Sequence, residues 1–222
     1  MTQLSLGIRL PTDAQQRQEA LMAALPDEDE AIVEEVRNLL PIHHDHVSDL
    51  KFAEAGQVKQ RIESLAIKLN GRTMLGIGTK EGAYGRLKVA LAAQDGEEPM
   101  HGQPGRFLLK AGGCRSVVYS DGVFGFGAFQ VRAIDLDRPF LSSTGFRSFM
   151  NWLVEFNGGS FADRCRQEIE DKQRFDLVKI DPFYCVRNNK VPTKVGTDPD
   201  DPAWKPGGWL YKASTDLEEP AP

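Results

Sequence analysis

Near residue 72 the chain changes its hydrophobic period. Upstream, in DEDEAIVEEVRNLLP, the apolar residues Ile32, Val33, Val36, Leu39 and Leu40 recur at helical spacing; downstream the spacing approaches two and glycines become frequent. A period of 3.6 lays a stripe along one side of a helix, and a period of 2 puts alternate side chains on one face of a strand. One chain must therefore combine both. The expectation is an α+β fold: an antiparallel meander sheet of about five or six strands packed by helices, after a helical N-terminal region.

Three helices are expected first. Thr12 or Asp13 caps one that carries Leu21, Met22 and Leu25 and stops at Pro26; a second bears the stripe above and ends at Pro41. A third runs from about Ser48 to Leu69 through Val58, Ile62 and Leu65, with Gly56 a candidate break and Asn70-Gly71 a left-handed exit. The strand candidates are TMLGIG, RLKVALAAQ, RFLLKAG, RSVVYS and the run from Val123 to Ile134. Turn signals separate them, and Asp121-Gly122 is the strongest, since a type I′ turn needs positive φ at both central positions. PFLSSTGFRSFMNWLVEF then predicts a helix with Phe146, Phe149, Leu153 and Phe156 on one face, ended by Asn157-Gly158-Gly159. Ser160 and Asp163 start the next helix as a capping box, and FDLVKI reads as a last strand. This divides the chain into an acidic helical region over 1–71, an α+β core over 72–190 and a Pro/Asp/Gly-rich extension over 191–222 whose end is frayed.

No apolar run approaches the roughly 20 residues needed to cross a bilayer, and the start lacks the charged and apolar regions of a signal peptide, so a cytoplasmic protein is expected. Cys114, Cys165 and Cys185 have neither disulfide nor zinc spacing and read as reduced, buried thiols. The net charge of −5 conceals a segregation. Between Pro11 and Glu54 stand eleven acidic and three basic side chains, and between Ala55 and Ala133 eleven basic and six acidic. A basic face on an acidic chain still attracts phosphate, because that attraction is local.

Several constellations are candidates for chemistry. The glycines of LGIGTKEGAYGRL match neither the dinucleotide fingerprint nor the P-loop and read as turn residues. Phe124 and Phe126 of VFGFGAF share a strand face and are a candidate base-stacking platform, or a sheet face covered by helices. His43 and His46 of HHDH, three apart, can share a metal if helical, with Asp45 or Asp49 completing the shell; Asp45 is equally placed to cap a helix. Asp135 and Asp137 are placed for magnesium, the cofactor of an enzymatic reading alone; otherwise no cofactor is expected. The E-x-K run at Glu170 to Lys172 sits on a helix, where it suits nuclease chemistry poorly. Finally, Ser143, Thr144 and Arg147 lie at an expected helix start, whose unsatisfied amides favour an anion. Arg147 is misplaced in a first turn unless an anion, or a carboxylate such as Asp137, stands beside it.

RPFLSSTGFRSF, Arg138 to Phe149, resembles a segment of uncharacterised proteins of conjugative plasmids and related mobile elements. A more distant likeness is to plasmid fertility-inhibition proteins, some similar in fold to the ParB and sulfiredoxin group, whose arginine-rich phosphate-binding motif is not recognisable here. The resemblance implies an accessory or regulatory protein of a mobile element, in conjugation, fertility inhibition or host-defence interference, acting by binding a protein or nucleic acid. A protein partner with a basic surface would face the acidic helices. The alternatives are a metal-dependent nuclease or nucleotide hydrolase and a single-stranded nucleic-acid binder.

Overall fold

A computed structural model describes residues 19–125, 129–149, 156–173, 177–181, 202–204 and 208–210. Thr12, Asp13, Phe126, Leu153 and Cys185 lie outside them. After a helical segment over 19–23 come three helices, α1 (Asp29–Ser48), α2 (Phe52–Leu69) and α3 (Ala83–Leu91), then four strands, β1 (Gly105–Ala111), β2 (Cys114–Ser120), β3 (Phe129–Ala133) and β4 (Phe146–Phe149), and a last long helix, α4 (Phe161–Gln173). The fold is α+β, and the strands pair antiparallel in the order β1-β2-β3-β4, a meander of four strands rather than five or six. No described helix is long and apolar enough to cross a membrane.

The missing strands lie between 72 and 94. RLKVALAAQ fits both periods on paper, but a strand would bury Leu87, Val89 and Leu91 together, whereas Val89 is 82% exposed. Ala83, Leu87 and Leu91, four apart, are the buried set, and α3 lays them on α1 and α2. TMLGIG is a run of turns that carries the chain into α3. Gly82 and Gly85 serve close approach. At Gly85 a Cβ would lie 2.2 Å from the Lys80 carbonyl oxygen and 2.4 Å from that of Thr79, both backbone atoms that cannot swing aside. Gly85→Ala should therefore cost about 2 kcal/mol in urea denaturation, despite alanine's better helix propensity. Gly78→Ala, with nothing within 4 Å, is the control and should be nearly neutral.

Pro41 does not end α1. Ile32, Val36, Leu40, His43 and Val47 form one continuous buried stripe through it, and that burial outweighs the single hydrogen bond the proline removes. α2 likewise runs unbroken past Gly56. The segregated charges meet across these helices: Glu35 of α1 pairs with Arg61, Asp29 with Arg86 and Asp27 with the buried Lys68. The Lys68 ammonium also donates to the carbonyls of Met22 and Leu25, serving the orphan acceptors at the end of the preceding helical segment.

The tight hairpin falls at Gly112-Gly113, not Asp121-Gly122. Ala111 pairs with Cys114, leaving a two-residue loop with φ of 53° and 82°. Ser120 instead pairs with Phe129, so β2 and β3 are joined by a longer connection. Its Gly122–Phe124 3-10 turn dips into the helical core, where Val123 and Phe124 are buried. The stretch expected to start a helix at 142–147 is a turn followed by β4: Phe149 pairs with Phe129 and their rings stack at 4.7 Å. That stacked pair and the ladder to β3 override the helical spacing of the phenylalanines.

One face of the sheet, with Phe107, Leu109, Val118, Phe129 and Val131, packs on Phe161, Cys165 and Ile169 of α4. The other, with Val117 and Ile134, is covered by Ala203 and Leu210. α4 starts with the expected capping box, Ser160 Oγ accepting from the Asp163 amide and Asp163 Oδ2 from the Ser160 amide, each at 3.2 Å. Of FDLVKI, the described residues 177–180 contribute a bridge, Val178 to Phe140.

Candidate functional site

The helical layer and the sheet meet along a cleft of about 170 Å³. α1 supplies His43 and Val47, α2 supplies Phe52, Ala55, Gly56 and Lys59, and the loop before β1 supplies His101 and Gly102. Ser120, Gly122 and Val123, with Phe161 and Arg164 from the first turn of α4, complete the lining.

His101 organises this junction. Its backbone N–H donates to His44 Nδ1 at 3.0 Å, its carbonyl accepts from His43 Nδ1 at 3.1 Å, and its own Nε2 donates to the Gly159 carbonyl at 2.9 Å. Carbonyls only accept, so His43 carries its proton on Nδ1 and His101 on Nε2 when each is neutral; the amide makes His44 Nδ1 an acceptor. The His44 ring stacks on that of His101, and Phe161 meets it edge-on. Burial is the main reason that His101 titrates far below its ordinary 6.5, at about 4, with Coulombic repulsion from His44, Arg164 and His43 acting in the same direction and the Gly159 hydrogen bond opposing it. Burial also lowers His43, helped by Lys59. Both imidazoles are neutral at pH 7. They bring a tight polar seam but no charge.

The charges in the cleft belong to Lys59 and Arg164. Arg164, its side chain 6% exposed, donates through Nε and Nη2 to Glu168 Oε1, both at 3.1 Å. Burial raises the Glu168 carboxyl, against the pull of that guanidinium. Lys59 reaches Glu63 only loosely, at 3.7 Å on a partly exposed flank of α2.

The residues singled out in the sequence are dispersed. His43 and His46 do share α1, as a shared metal would need, but the Nδ1 of His43 is engaged by His101, and the described residues hold no group of three or more His, Cys, Asp or Glu arranged for a metal. Asp135 is buried and bound through both oxygens by Arg115, Oδ2 to Nε at 2.8 Å and Oδ1 to Nη2. Asp137 is exposed beyond the end of β3. The helix N-terminus on which the Ser143, Thr144 and Arg147 reading rested is not formed: Arg147 sits in β4 opposite Val131, and Thr144 Oγ1 donates to the Phe146 carbonyl. The Ser143 carbonyl accepts from the Asp181 amide. Phe124, 4% exposed, packs against Tyr84 in the helical core rather than on a sheet face. Cys165 is a buried thiol whose ionisation burial suppresses, while Cys114 is partly exposed. His101 was the missed residue: it stands 58 positions from His43, and only the docking of the two layers makes them neighbours.

Two Escherichia coli proteins named KlcB are similar to this chain. One is 41% identical over 100 residues, 43% of this chain and 25% of that protein; the other is 33% identical over 142 residues, 61% of this chain and 30% of that protein. The chain thus spans less than a third of the length of these curated relatives. No family model matches it, and no solved structure matches it.

Proposed function

We propose that the chain is a plasmid-associated accessory protein that works by holding a protein partner over the cleft between its helical layer and its sheet. The observation that carries this reading is the likeness to KlcB, which joins the resemblance of Arg138 to Phe149 to proteins of conjugative plasmids. The likeness takes in only part of those longer proteins. The cleft supports a binding role by its make-up: apolar walls and two cations without an acid among its lining residues. Phe52, more than a third exposed at its rim, is the kind of aromatic anchor that partner surfaces use.

A photo-reactive amino acid in place of Phe52 tests this in cells with and without a conjugative plasmid. The expected result is a discrete, nuclease-resistant cross-linked protein band in plasmid-bearing cells, absent when the same group replaces the exposed Val89. Cross-links that are equal at the two positions, independent of the plasmid or removed by nuclease would overturn the reading.

A further inference from the structure

We propose that the cleft is a binding site for a monoanionic carboxylate carried on a short apolar body, the chemistry shared by a small organic acid and the C-terminal residue of a peptide. The site goes beyond the partner reading and does not require it, because a free acid would serve as well.

Three features point there. The first is charge. The lining contains Lys59 and Arg164 and no Asp or Glu, so an anion entering it meets cations without a facing acid. Arg164 is already neutralised through one edge of its guanidinium by Glu168, while its Nη1 amino group takes no part in that pair. Lys59 is held only loosely by Glu63, at 3.7 Å in a partly exposed setting where such pairs are weak. What remains is close to one positive charge, which suits a carboxylate better than a phosphate dianion. Neither imidazole adds to it, because both are neutral at pH 7.

The second feature is shape. Beside the cations the walls are apolar, from Val47, Phe52, Val123 and Phe161, and the space of about 170 Å³ suits a single side chain rather than a large cofactor. A carboxylate with a leucine-sized body places its charge by the cations and its hydrocarbon on these walls.

The third is Gly56. It lies inside α2, where glycine is unfavourable by about 0.5–1 kcal/mol relative to alanine. Nothing stands within 4 Å of where its Cβ would be, and its φ is not in the left-handed region, so neither packing nor backbone conformation calls for glycine. Its bare backbone lines the cleft. A ligand lying against the helix explains the residue; internal packing does not.

The full 222-residue chain is titrated by calorimetry at pH 7 with N-acetyl-leucine, N-acetyl-leucinamide, 3-phenylpropionate, inorganic phosphate and an acetylated tetrapeptide ending in leucine. Saturable binding of the acids is expected, weakened at least about tenfold by the amide cap, which removes the charge. Lys59→Gln should weaken N-acetyl-leucine about tenfold. Gly56→Ala should raise Tm by about 2 °C yet weaken binding several-fold, a combination that a purely structural glycine would not produce. The two sources separate in the same titrations. A tetrapeptide that binds tighter than N-acetyl-leucine assigns the site to a partner's C-terminus, and equal or weaker binding assigns it to a free acid; either supports the carboxylate site. Phosphate binding as tightly as the acids, amide and acid binding alike, no saturable binding of any probe, or unchanged affinity in Gly56→Ala would overturn it. Loss of cross-linking at Phe52 with acid binding intact would defeat the partner reading and leave this one standing.

Discussion

Lowering the pH from 7 to 5 should remove about 2 kcal/mol of stability through His101 alone, and close to 3 kcal/mol by pH 4. His101 titrates at about 4 in the folded chain against an ordinary value of 6.5. Between those values the unfolded chain takes up the proton and the folded chain does not. The stability is therefore fully present above pH 6.5 and drains away as the pH falls towards 4. His43, also lowered by burial, acts in the same sense. Protonation has nowhere to go: His101 is 2% exposed, stacked on His44 and near Arg164, so a second proton on its ring adds charge among like charges. Urea midpoints between pH 7 and 5, where most carboxylates stay ionised, read the effect, and His101→Gln isolates it. The variant should be less stable at pH 7 and show a much flatter pH dependence. Parallel curves for variant and wild type would remove His101 from this account.

Asp135→Ala should cost about 3 kcal/mol. The Arg115–Asp135 pair has side chains only 18% and 10% exposed, and its ladder position is held by the amide of Ile134 bonding to the Arg115 carbonyl. Removing the carboxylate strands a guanidinium whose Nη1 already lacks a partner among the described residues. The cost lies mostly in that uncompensated charge and not in the value of the pair. The double change Arg115→Met with Asp135→Ala should accordingly recover most of the loss, since methionine fills the same space without a charge. A single variant within 0.5 kcal/mol of wild type, or a double variant no better than the single, would contradict this view of the strand end.

The helical half of the fold was legible because its apolar stripes are long, although α1 runs through the end read at Pro41; the start of α4 was legible from the reciprocal cap of Ser160 and Asp163. The meander was legible from β1 and β2, two short runs rich in apolar residues on either side of paired glycines. Misreadings fell where local pattern and distant packing disagree. RLKVALAAQ alternates like a strand, and only the surface of α1 and α2 selects its helical face. FRSF has helical neighbours in sequence, but Phe129 offers Phe149 a stacking partner that a helix would forfeit. Asp121-Gly122 carries a good turn signal that yields to the burial of Val123 and Phe124. The cleft was illegible for a related reason: its residues come from five parts of the chain, α1, α2, the loop before β1, the β2–β3 connection and α4, which only folding brings together. His43 of the HHDH run was a visible trace, read as a candidate metal ligand, whereas folding gives its Nδ1 to the His101 carbonyl.

The order of events during folding follows from the hydrogen bonds of His101. Each strand of the meander pairs with its sequence neighbour, and α1 packs mainly on α2, so both layers can form from nearby segments. The bonds that join His101 to His43 and His44 close only when the finished layers dock, and the bond from the Ala162 amide to Glu98, 64 positions away, closes when α4 settles on the sheet. Docking is then the late step, and the seam beside the cleft is the first place to part. In native-state hydrogen exchange the amides of His101 and Ala162 should trade their protons well before those of Val118 and Val131 in mid-sheet.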